Sequence, residues 1–150
     1  MKKIALMMIL AAILLSPISA QALSVGTWGA SLGGQYLSTP TVGMQVTDAL
    51  TGYIGMRIAA DSADQYLCLV KADYNVVKMG NIQHKAGAYY IWVTDSDKYF
   101  ITGLTWGMST MLTKSLSIGI DVKLAEQYSG GGETETMYLP GTAIAINFYL

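Results

Sequence analysis

An all-β fold, an antiparallel up-and-down transmembrane β-barrel of eight strands, is predicted by three features of this sequence. Leu116, Ile118, Ile120, Val122 and Leu124 alternate with Ser117, Gly119, Asp121, Lys123 and Ala125. A period of two gives one apolar face on a strand and no coherent face on a helix. Residues 142–150 repeat the pattern, with Ile144, Ile146, Phe148 and Leu150 opposing Ala143, Ala145, Asn147 and Tyr149. Finally, hydrophobic residues make up 52% of the chain, yet nothing after residue 22 approaches the ~18 consecutive apolar residues of a membrane helix. Lipid-facing and lumen-facing residues in alternation produce that combination.

The first element is an export signal. Lys2 and Lys3 precede an uninterrupted apolar run over 4–15, Pro17 ends it, and Ala20-Gln21-Ala22 forms an A-x-A cleavage site. The expected division is a signal over 1–22 and a barrel domain over 23–150. The run is short of the ~20 residues that cross a bilayer as a helix, and no cysteine at the cleavage site offers a lipid anchor. The remaining 128 residues suit one domain. They carry seven Lys and Arg against ten Asp and Glu, a balance that argues against a nucleic-acid partner. Cys68, the lone cysteine, excludes an intramolecular disulfide and reads as a small apolar wall residue.

Eight strands follow in order. The first spans 25–32, before Gly33-Gly34; the second spans 41–47, with Val42, Met44 and Val46 on one face. The third spans 53–60, where Ile54, Met56 and Ile58 face away from Arg57. The fourth, 65–78, sets Tyr66, Cys68, Val70 and Ala72 against Leu67, Leu69, Lys71 and Asp73. Gly80-Asn81 reads as a two-residue hairpin turn. Strands over 82–93, 98–109, 115–126 and 142–150 complete the set. Turns near 48–51, 80–81 and 111–114 then share one end of the barrel. Loops near 33–40, 61–64, 95–97 and 127–139 share the other, the short-turn and long-loop asymmetry of membrane barrels. Aromatic residues including Tyr53, Tyr66, Tyr89, Tyr90, Trp92 and Phe100 are expected near strand ends, as interfacial girdles.

On these residues the chain resembles the small bacterial outer-membrane β-barrels of the OmpA/OmpX type. The likeness rests on the cleavable signal, the eight candidate strands and Ile144-x-Ile146-x-Phe148-x-Leu150 at the C-terminal end. It implies an outer-membrane location in a Gram-negative bacterium, contact with outer-membrane lipid and lipopolysaccharide, and insertion by the barrel-assembly machinery, for which those four residues are the expected signal. The family pattern ends in Phe; Leu150 stands there in this chain, and Phe148 precedes it by two.

No catalytic constellation stands out. An eight-stranded barrel has an interior that side chains can fill, and Arg57, Lys71, Asp121 and Lys123 are expected to form a lumen charge network, paired rather than conducting. His84 is the sole histidine. Outer-membrane lipid-modifying enzymes pair Ser with His, but 82–86 holds no Ser, and only Ser109 or Ser115 could approach from another strand. One His and one Cys make a poor zinc site, and no metal or other cofactor is expected. Asp61, Asp64, Asp95, Asp97, Glu133 and Glu135 fall in the loops, with Glu126 beside them, a rim suited to a divalent cation or a surface partner. The function expected is non-enzymatic: a structural or surface-interaction protein working through its extracellular loops. The alternative is a secreted or periplasmic lipocalin-like barrel around a small apolar ligand. That barrel would invert the faces, turning Arg57, Asp121 and Lys123 to water.

Overall fold

The computed structural model describes residues 23–32, 35–58, 66–94, 99–130, 133–137 and 141–150; the expected signal over 1–22 lies outside them. Among the described residues nine strands are present: β1 (Leu23–Leu32), β2 (Gln35–Gln45), β3 (Leu50–Ile58), β4 (Tyr66–Met79), β5 (Ile82–Thr94), β6 (Tyr99–Met111), β7 (Leu116–Gly130), β8 (Glu133–Met137) and β9 (Gly141–Tyr149). Each pairs antiparallel with its sequence neighbour from β1 to β7, and β9 pairs with both β1 and β7. β8 lies on β7 over Glu126–Gly130 and β9 over Leu116–Lys123. The two therefore form one interrupted wall strand, and the sheet closes as an eight-stranded barrel. Through β1–β7 and β9 each strand has a partner on both sides, the condition for a sheet in hydrocarbon.

Two expected loops are strand instead. β2 begins at Gln35 and runs through Pro40, where Ser, Thr and Pro read as a loop. Pro40 is tolerated because the β2–β3 ladder stops at Thr41↔Gly55, one residue short of it, so no N–H is required on that side. The expected loop over 127–139 is largely a hairpin, in which β7 continues to Gly130 and pairs with β8. At the opposite end, tight connections over 46–49, 80–81 and 112–115 join β2–β3, β4–β5 and β6–β7, close to where they were expected. Gly80 takes φ 61°, the left-handed conformation that a two-residue hairpin needs.

The wall alternates. Ile54, Met56, Ile58, Val70, Tyr90, Trp92, Ile120, Val122, Ile144 and Ile146 are exposed on the outside. Among the described side chains of the strands, no Asp, Glu, Lys or Arg joins that outward set. Two bulges shift the alternation. One, between Asn75 and Val77 on β4, leaves both Val76 and Val77 exposed and turns Lys78 inward. The other opposes Leu104 and Thr105 on β6 to Ala125 and Lys123 on β7; past the extra residue Leu124, Glu126 becomes the inward residue.

The lumen is layered. Towards the loop end Leu67, Leu69, Ile91 and Ile101 pack together, the last three each 1% exposed. The middle is polar and charged, and the turn end opens into a cup. Glycines make room for the largest inward groups. Tyr89 lies across from Gly103 and Tyr53 across from Gly43. A Cβ on Gly103 would stand 2.2 Å from Tyr89 Cζ, and one on Gly43 2.6 Å from Tyr53 Cδ1.

Candidate functional site

The middle layer is a continuous polar network. β4 contributes Lys71 and Asp73, two residues apart on the inward face, and their side chains are ion-paired. Lys71 Nζ also lies 3.2 Å from Asp121 Oδ2 on β7 and 5.3 Å from the centre of the Tyr53 ring. Asp121 Oδ2 accepts a 2.8 Å hydrogen bond from Trp28 Nε1 on β1. The Trp28 and Tyr89 rings meet at 5.1 Å, and the Tyr89 hydroxyl donates to Glu126. Glu126 Oε2 accepts from Lys123 Nζ at 2.8 Å. All five charged groups are buried. Isolated charges there would be strongly penalised, so each is stabilised only through its partners.

Of the four charges expected in the lumen, the structure brings together Lys71 and Asp121, and places Lys123 in the same layer through Glu126. Arg57 stands apart. It lies near the loop end of β3, half-buried, and donates to the Ser38 carbonyl at 3.5 Å. The network also holds Asp73, Trp28, Tyr53, Tyr89 and Glu126, which the sequence reading does not assign to a lumen network. Asp73 was placed on the correct face and could have been found by its i, i+2 spacing from Lys71. Tyr53 and Tyr89, expected in the girdles, point inward instead. Glu126, expected on the rim, is carried inside by the β7 bulge. Ala125, grouped with the inward set, is shifted by that same bulge.

Below the network lies the cup, about 370 Å³ in volume. Lys78, Lys85, Gln45 and Gln83 line it, together with Tyr149 and the serines of three strands. Tyr53, Lys85 and Ser109 also border a second void of about 10 Å³ beside Asp73 and Asp121, room for one water at most. Lys85 therefore sits between cup and network.

His84 follows the outward set of β5 and packs beside Trp106, ring centres 6.2 Å apart. Ser109 lines the cup on the other side of the wall, and Ser115 lies in the 112–115 turn, so the fold assembles no Ser–His pair from Ser109. Among the described residues no three His, Cys, Asp or Glu side chains converge as metal ligands would. Cys68 stands on the outward face between Met56 and Trp92. Asp61, Asp64, Asp95 and Asp97 lie outside the described residues; Glu133 and Glu135 fall on β8. Ile144, Ile146, Phe148 and Leu150 are all exposed on the outward face.

Comparison with known proteins gives a fold-level likeness. No family model and no curated protein matches the chain. Among solved structures, the chain is similar to outer membrane protein H (OprH) from P. aeruginosa, determined in solution in DHPC micelles. The TM-score is 0.63 at 16% sequence identity, over 87% of this chain and 99% of that one. The likeness shows the same fold, a closed antiparallel barrel.

Proposed function

We propose that this chain is a non-enzymatic outer-membrane barrel of the OmpA/OmpX type, exported through a cleaved signal over 1–22, with a structural or surface-interaction role. The carrying observation is the sorting of side chains by face: an outward band dominated by apolar residues, with the charged strand side chains that the structure describes turned inward. A lysine on the lipid face at mid-membrane costs ~2–4 kcal/mol, so that sorting is what a bilayer selects. The same band in water would far exceed the few hundred Å² of contiguous apolar patch that a soluble monomer tolerates. A lipocalin-like binder would instead line its lumen with the aliphatic face, and here Asp121 and Lys123 are buried there.

In this reading the tight turns face the periplasm and the opposite end meets the surroundings of the cell, lipopolysaccharide included. The packed aliphatic layer and the paired charges close the lumen to solute flow. The barrel-assembly machinery reads β9. Membrane fractionation tests the proposal, with outer-membrane samples run on a gel before and after boiling. Outer-membrane enrichment with a heat-dependent mobility shift is expected; recovery in the soluble periplasmic fraction would overturn it.

A further inference from the structure

The cup differs from the rest of the lumen in having cations without matching carboxylates. Lys78 and Lys85 line it, and no Asp or Glu does. Neither lysine is ion-paired among the described residues. The carboxylates behind the floor are already engaged, Asp73 by Lys71 and Asp121 by both Lys71 and Trp28. Within the lining itself the charged groups are Lys78 and Lys85, both cationic.

The neutral lining is rich in donors. Ser117 Oγ and the Tyr149 hydroxyl lie 3.4 Å apart, a pair that uses one of its two hydroxyl hydrogens and leaves the other for a further acceptor. Ser24 and Ser109 add hydroxyls. The β4 bulge is what brings Lys78 into the cup; in an unbroken strand it would point outward. The volume, about 370 Å³, falls among those of small-molecule sites. Ammonium groups and hydroxyls converging in a recess are suited to a phosphate or carboxylate group.

We propose that the cup binds a small oxyanion-bearing solute, with Lys85 at the floor, Lys78 at the mouth, and the hydroxyls of Ser109 and Tyr149 as further donors. The inference rests on the cup's own geometry, so its failure would leave the membrane reading untouched. The test uses the folded barrel in detergent micelles, followed by amide NMR. Inorganic phosphate, succinate and sodium chloride are titrated at matched ionic strength. Saturable shifts around Lys85 and Ser109 are expected, with a Kd of ~1 mM or tighter. Saturation by phosphate alone identifies a phosphate-bearing solute, and by succinate alone a carboxylate-bearing one. Lys85→Gln and Lys78→Gln should each weaken binding about tenfold or more, while Lys85→Arg retains it. Lys78 is exposed, so its variant keeps the test readable if Lys85→Gln does not fold. Shifts that grow linearly and match those from chloride would overturn the proposal. Saturable shifts unchanged in both glutamine variants would do the same.

Discussion

The two halves of the lumen are filled by opposite chemistry. Towards the loops, Leu67, Leu69, Ile91 and Ile101 form an aliphatic plug; towards the turns, a buried charge layer gives way to an open polar cup. Both halves stand on the same strands and the same alternation, so the wall does not dictate the filling. The difference lies in how each half responds to loss. An aliphatic plug loses stability in proportion to the volume removed. A charge layer is stabilised only as a set, because removing one member leaves another buried and unpaired.

The largest expected effect therefore belongs to the charged half. Lys71→Met leaves Asp73 and Asp121 without their cation and should cost ~3–5 kcal/mol, read from urea unfolding of the barrel in vesicles. Adding Asp73→Asn should recover part of that loss, a coupling that a double-mutant cycle measures; purely additive costs would mean that the layer is not a set. In the plug, Leu69→Ala should cost ~2–5 kcal/mol, and Leu69→Met under ~1.5 kcal/mol, a graded series with no pairwise rescue. At the boundary, Gly103→Ala drives a methyl into the Tyr89 ring. The expected cost is ~1–3 kcal/mol, and the hydrogen bond of Tyr89 to Glu126 should be lost with it. Smallest is Thr105→Val. Thr105 Oγ1 is buried with no hydrogen-bond partner among the described residues, so removing it should leave stability within ~1 kcal/mol, on the favourable side. A clear destabilisation there would reveal a partner for that hydroxyl.

Much of this layering was legible from alternation. Lys71, Asp121 and Lys123 could be sent inward because Val70, Ile120 and Val122 had to go outward. Strand number and the positions of the tight turns followed from the same period and from Gly80-Asn81. The bulges were not legible. Each inserts one residue, so every side chain beyond it changes face, and Glu126 and Lys78 both depend on that shift. Nor could a strand through Pro40 be read, since it depends on where the neighbouring ladder ends. Trp28 looked like any aromatic in a strand; its pairing with Asp121, 93 positions away, exists only once the sheet has closed.

Closure also sets a schedule. β9 hydrogen-bonds on one side to β1, the earliest strand among the described residues, and on the other to β7. During synthesis β1 emerges first, and its outer edge finds no partner until β9 arrives. Throughout that interval the growing sheet has two open edges and an apolar face, the combination most prone to association with other chains. Pairings so distant in sequence are slow to form. The Trp28–Asp121 link of the charge layer cannot form earlier, because the two residues belong to strands that only β9 brings together. Nearly all of the barrel is therefore synthesised before any of it can be sealed.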